Sequence, residues 1–147
     1  MLRRWPALLP ANSILTPHPG EMARLCKLEL DAVQADRWGL ATNQAKAWNQ
    51  VVVLKGAYTV IAAPDGRVRV LPFANPALAT AGTGDVLAGA ITALLAQGLA
   101  PFDAAVTGAY LHGLAGDLAA QEIGLAGAVA EDIISFLPAA WRRLSGQ

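Results

Sequence analysis

Three short segments set residues capable of chemistry beside turns and helix starts. Residues 75–89, NPALATAGTGDVLAG, place two glycines around a threonine immediately before an apolar helical run. Backbone N–H groups of Gly82, Thr83 and Gly84 at the positive end of such a helix form a cradle for an anion. Asp85 falls in or beside the first turn. A carboxylate there is either a helix cap, worth about 1 kcal/mol, or a general base held next to a bound phosphate; both roles stay open on these residues alone.

Residues 15–21, LTPHPGE, hold His18 between two prolines at the end of an expected strand. Ligands bind at strand C-termini in open α/β sheets, so His18 is placed either for substrate contact or as a solvated residue of a rigid turn. Residues 54–59, LKGAYT, follow a β-branched run. Lys55 would reach a phosphate, Gly56 would admit a ligand closely and Thr59 supplies a hydroxyl; the bland alternative is a tight connection with a solvated lysine. His112, beside Tyr110 and Leu111 in a helical stretch, reads as a packed or hydrogen-bonded histidine.

Two other phosphate-binding motifs are excluded. A GxxxxGK[ST] loop needs a lysine, and there is no Lys or Arg from Ala74 to Trp141. A GxGxxG fingerprint needs a third glycine where Leu87 stands, after a strand free of Pro76.

The elements that must position these groups alternate along the chain. Asn12 to Leu15 reads as a strand ending in the turn-prone segment Thr16 to Gly20. Met22, Leu25 and Leu28 recur at helical spacing and predict a helix over Glu21 to Leu28, and a second helix is expected between Asp36 and Asn49. Val51 to Leu54 is a strand buried on both faces. Thr59 to Ala62 and Val68 to Leu71 form a hairpin around Pro64-Asp65-Gly66. A helix runs from Val86 to Gln97 and stops at Gly98; another opens at Pro101 or Asp103 and reaches about Leu118. The last spans Val129 to Leu144, disturbed at Pro138. This is an α/β pattern with four strands and at least five helices, read as a single unit over residues 1–147.

Composition narrows the function classes. Of 147 residues 54% are apolar and 15% charged, with no net charge, against about 25% charged in ordinary soluble domains. The shortage of charge implies surface covered by something else. Residues 1–73 carry nine basic and five acidic side chains, residues 74–147 two and six, so the second half offers no basic stripe for nucleic acid. The apolar run from Val86 to Ala96 is far shorter than the ~20 residues of a membrane helix, and the prolines at 6 and 10 interrupt any secretory core. A lone Cys26 is expected to be a small buried hydrophobe in a reducing cytoplasm.

Taken in order and at these separations, LTPHPGEMARL, VVVLKGAYTVIAAPDG and NPALATAGTGDVLAG closely resemble the C-terminal part of the ADP- or ATP-dependent NAD(P)H-hydrate dehydratases of the ribokinase-like superfamily. The resemblance covers nearly the whole chain. It implies a three-layer α/β/α ribokinase-like fold, present as an incomplete C-terminal portion. Family catalytic domains are longer, so the N-terminal portion with the first strands is expected to be absent. By resemblance, Asp85 is the catalytic base and contacts the hydrated nicotinamide, Gly82, Thr83 and Gly84 form the anion hole, and His18 touches the hydrated dinucleotide. Lys55, Gly56, Ala57, Tyr58, Thr59 and Gly84 would contact the adenine nucleotide.

The implied activity is a carbon-oxygen lyase reaction. ADP or ATP, with magnesium, phosphorylates the hydroxyl of hydrated NADH or NADPH, and loss of phosphate restores the reduced dinucleotide. The resemblance names no protein ligand for the metal. The open sheet edge and uncovered apolar helices of half a domain invite self-association or joining of the missing portion, and the lone cysteine fits a cytoplasmic setting. Two other readings stand beside the lyase reading: a ribokinase-like kinase of a small alcohol or vitamin precursor, and an inactive truncated binding or assembly module.

Overall fold

Val51, Val52, Val53 and Leu54 form strand β2 with all four side chains buried, as a run without polar alternation requires. The computed structural model describes residues 9–146, and these fall into two compact units that divide between Val70 and Leu71.

The first unit holds a four-stranded sheet in the order β1-β2-β3-β4, with β1 at Ile14–Leu15, β3 at Val60–Ala62 and β4 at Val68–Val70. β1 pairs in parallel with β2, Ile14 opposite Val51 and Leu15 opposite Val52. The pairings of β2 with β3 and β3 with β4 are antiparallel, with Val53 opposite Ile61 and Ile61 opposite Arg69. Parallel neighbours need a crossover, supplied here by α1 (Pro19–Cys26), α2 (Leu30–Ala35) and α3 (Arg37–Trp48). The core joins Met22, Val33, Ala41, Ala45 and Trp48 to Val52, Leu54, Val60 and Ala62. Ala41 and Ala45, one turn apart and fully buried, let α3 lie close to the sheet.

Local chemistry accounts for where elements differ from the sequence reading. β1 is shorter than expected because Asn12 has φ +64° and leaves the extended region. α1 starts two residues early at Pro19, favoured in a first turn, and stops before Leu28 because Lys27 takes a left-handed conformation. Leu28 is therefore outside the helix and exposed. Helix α2 is absent from the sequence reading: six residues long, without a side-chain cap, it buries only Val33. The hairpin turns as expected through Asp65 and Gly66, the latter at φ +93°. Cys26 is half-buried against the core rather than buried, and burial raises its thiol pKa.

The regular elements of the second unit are all helical among its described residues. A short 3-10 turn over Pro76–Ala79 precedes α4 (Thr83–Ala96), α5 (Pro101–Ile123) and α6 (Ala130–Ser145). Glycines on α5 mark close packing: a Cβ at Gly108 would stand 2.7 Å from Ile91 Cγ1, and one at Gly116 2.4 Å from Leu78 Cδ2. Ala104, Ala115, Ala119, Ile133 and Ala140 complete the core. Burial of Ala119 carries α5 one turn beyond the expected end, and α6 continues through Pro138. The Val129 N–H donates to the Asp132 carboxylate at 2.8 Å at the start of α6. No helix among the described residues is long and apolar enough to cross a membrane.

Helix α4 begins three residues before the expected Val86, because Gly82 at φ +89° turns the chain into it. Gly82→Ala would place a left-handed Cβ 3.1 Å from the Ala130 methyl, and is expected to destabilise by about 1–2 kcal/mol, read as a fall in melting temperature. Ile61 has no exposure; Ile61→Ala should cost about 2–5 kcal/mol, measured by urea unfolding.

Candidate functional site

Expected site residues gather in two clusters, one in each unit. In the first unit the C-terminal ends of β1 and β2 lie side by side, and the Lys55 N–H donates to the Pro17 carbonyl at 2.9 Å. His18 is the N-cap of α1. Its Nδ1 accepts from the N–H groups of Gly20 and Glu21 at 3.0 and 3.2 Å, and its own N–H donates to Glu21 Oε2 at 2.7 Å. This reciprocal capping box holds the ring. Because Nδ1 accepts two bonds, the neutral ring carries its proton on Nε2, which lies 3.5 Å from Glu21 Oε1 and is half exposed. His18 is thus neither simply solvated nor free to rotate.

Glu21 also faces Lys55, with Oε2 3.8 Å from the Lys55 ammonium. His18, Glu21 and Lys55 are therefore brought together by the strand pairing and the first turn of α1. The quoted motif contained Glu21, but its bridging role needed the fold. Beyond Lys55, the loop runs through Gly56 at φ +136° and Tyr58 at φ +54°. Thr59 Oγ1 closes it by donating to the Gly56 carbonyl at 2.9 Å. Tyr58 is more than half exposed.

Sequence reasoning missed Arg37. Its Nη2 donates to the carbonyls of Leu54 and Lys55, each at 3.1 Å, and its Nη1 to the carbonyl of Ala57. Burial lowers its pKa from the usual arginine value. The available signal was a cation in the first turn of a helix, where the macrodipole disfavours it. The start of α3 is fixed by Asp36, whose carboxylate accepts from the Gly39 N–H at 2.7 Å. Gly39 is required there, since its Cβ would lie 2.1 Å from Asp36 Oδ2.

In the second unit Gly82, Thr83, Gly84 and Asp85 surround the start of α4. Thr83 is buried, and its hydroxyl reaches the carbonyls of Leu78 and Thr80 at 2.7 and 2.8 Å. One hydroxyl proton serves one of these at a time. The Thr83 N–H also points to the Thr80 carbonyl, at 3.3 Å. Among the described residues the N–H groups of Gly82 and Gly84 have no acceptor. Of the expected cradle, the two glycines thus offer free donors and the threonine anchors the loop.

Asp85 is exposed at the third helical position, and α4 has no side-chain cap. Asp85 therefore makes no capping hydrogen bond, although its charge lies in the first turn, where the helix dipole favours it. His112 is buried, as expected, with Nε2 2.8 Å from the Thr83 carbonyl, so that nitrogen carries the proton and ties α5 to the first turn of α4. A groove of about 410 Å³ in this unit, lined in part by Phe73, Asn75, Asp117 and Gln121, contains none of the expected site residues. Asn75 there donates to Asp117 at 3.0 Å and caps the 3-10 turn.

Among the described residues no group of three or more His, Cys, Asp or Glu is placed to hold a metal ion. Mg²⁺ characteristically keeps waters and binds substrate phosphates with one or two carboxylates. A magnesium ion carried by nucleotide phosphates would need at most one or two of these carboxylates.

The bifunctional NAD(P)H-hydrate repair enzyme Nnr of Moorella thermoacetica is 53% identical over 131 residues, which is 89% of this chain and 25% of the relative. The ADP/ATP-dependent NAD(P)H-hydrate dehydratase from Bacillus subtilis, co-crystallised with ATP and Mg²⁺, superposes with a TM-score of 0.86 at 39% identity, over 90% of this chain and 48% of that one. A ribokinase-like superfamily protein from Enterococcus faecalis gives 0.79 at 29% identity, over 92% and 46%. The chain thus spans about a quarter of the bifunctional relative and about half of each solved structure. The fold is ribokinase-like α/β, and the Carb_kinase profile, described as NAD(P)H-hydrate dehydratase, matches residues 6–139 across both units. The chain belongs to the NAD(P)H-hydrate dehydratase family.

Proposed function

We propose that this protein serves the nucleotide-dependent dehydration of hydrated NADH and NADPH. The observation that carries the reading is Asp85, an exposed carboxylate in the first turn of α4 outside any cap, beside two unpaired glycine N–H groups. Asp85 takes the proton from the ring hydroxyl as that oxygen attacks the terminal phosphorus of ADP or ATP, and the bond from that phosphorus to the bridging oxygen breaks to release AMP or ADP. Gly82 and Gly84, steadied by Thr83 and the helix end, stabilise charge on the transferred phosphoryl group. The ring C–O bond then breaks as phosphate leaves, a proton departs from the adjacent carbon, and the double bond of the dihydronicotinamide re-forms.

In this reading Lys55, Gly56, Ala57, Tyr58 and Thr59 bind the adenine nucleotide together with Gly84, and His18 donates from Nε2 to the hydrated dinucleotide. Magnesium arriving with the nucleotide would supply neutralisation of phosphate charge. The substrate class, reduced nicotinamide nucleotides with ADP or ATP, supports a cytoplasmic setting. Ile134, Trp141 and Leu144 of α6 are 43–52% exposed and lie on one helix face, which supports self-association. Sedimentation velocity should then show a dimer or larger species that dissociates on dilution; a monomer at all concentrations would remove that part of the proposal.

The catalytic reading is tested by following recovery of dihydronicotinamide absorbance from hydrated NADH with ADP or ATP and Mg²⁺. Asp85→Asn should lower turnover by about 10²- to 10⁴-fold while nucleotide binding persists. Undiminished turnover would take Asp85 out of its role. Accumulation of a stable phosphorylated alcohol would show a small-molecule kinase instead, and nucleotide binding without turnover a binding module.

A further inference from the structure

Arg37 occupies a costly position for a cation. It is the first residue of α3, where the helix macrodipole opposes positive charge. No carboxylate among the described residues pairs with it, and its Nε is buried without a hydrogen-bond partner. Among the described residues its hydrogen-bond partners are the carbonyls of Leu54, Lys55 and Ala57. Gly56 lies directly against the guanidinium, since a Cβ there would stand 3.0 Å from Nη2.

Peptide geometry gives this contact a consequence on the other side of the loop. In a trans peptide the C=O of one residue and the N–H of the next point in opposite directions. With the carbonyls of residues 54, 55 and 57 turned toward Arg37, the N–H groups of Lys55, Gly56 and Tyr58 turn away from it. The Lys55 N–H shows this, donating to the Pro17 carbonyl of the neighbouring strand end at 2.9 Å. The Gly56 and Tyr58 N–H groups have no acceptor among the described residues. Tyr58 is held at φ +54°, a conformation disfavoured for a residue with a Cβ, so something must impose it. The bond from Arg37 to the preceding carbonyl is the contact on hand.

We infer that Arg37 is a positioning residue: by gripping three carbonyls from one side, it holds the loop from Lys55 to Thr59 with the Gly56 and Tyr58 amides turned outward as donors to a nucleotide phosphate. This rests on the reading of that loop as nucleotide-binding. The planar guanidinium fork spans carbonyls on both sides of Gly56, whereas a lysine ammonium is a point charge with no such reach.

The test compares the wild-type chain with Arg37→Lys and Arg37→Ala by two independent readouts, with melting temperature as the control for folding. Without nucleotide, backbone NMR order parameters of residues 56–59 should be near the rigid value of about 0.85 in the wild type and fall below about 0.6 in both variants. Nucleotide affinity should fall by at least about tenfold, appearing as a raised KM with kcat near wild type at saturating nucleotide. Added guanidinium at non-denaturing concentration should restore order and affinity to Arg37→Ala. Unchanged loop order in a folded Arg37→Lys or Arg37→Ala chain would overturn the inference. An ordered loop in a wild-type chain that binds neither ADP nor ATP would overturn the nucleotide reading instead, leaving the arginine's hold on the loop to be judged by the order parameters. If Arg37→Ala does not fold, Arg37→Lys decides.

Discussion

Two parallel strands leave a sheet at the same edge, and that constraint places the chemistry of the first unit. β1 and β2 pair over only two residues each, yet the pairing sets the turn before α1 beside the loop after β2. The bond from Lys55 N–H to Pro17 carries the alignment past the strands themselves. His18, Glu21 and Lys55 are consequently neighbours although 34 positions separate the second from the third. The antiparallel pairing of β3 returns the chain to the sheet and leaves residues 55–59 to form the connecting loop.

The second unit solves a comparable problem with helices. Free N–H donors at the start of α4 require a chain that enters the helix without a capping side chain, and Gly82 supplies the left-handed turn. A bare helix start of this kind would be loosely held. Here Thr83 is bonded to the preceding carbonyls and His112 holds its carbonyl from α5. Buried polar contacts around Thr83 thus support exposed donors on either side of it, while Asp85 stays available to solvent.

The low charge of the sequence has an explanation within the fold. Much of the apolar fraction is alanine, and with the glycines of α5 these small side chains admit neighbours such as Ile91, Phe73 and Leu78 against that helix. Small residues bury little area each, but they allow close approach and many dispersion contacts. The large exposed apolar groups are spread over both units, at Leu28, Leu30 and Trp38 in the first and from Ile123 through Leu144 in the second.

The sequence by itself determined the order of elements, the buried strand at Val51 to Leu54, the hairpin at Asp65-Gly66 and the glycine-rich entry to α4. Each is set by interactions between residues a few positions apart: burial pattern, turn chemistry and helix-end geometry. It also carried the family, because three motifs in order are far more specific than any one. It did not show α2, whose six residues lack both a cap and an amphipathic face, nor the end of α5, which depends on what Ala119 packs against. The hold of His112 on the Thr83 carbonyl, the approach of Lys55 to Glu21 and the grip of Arg37 on three carbonyls 17 to 20 residues away were decided by tertiary structure alone. Those contacts join groups distant in the chain, and only the paired strands and packed helices bring them within hydrogen-bonding distance.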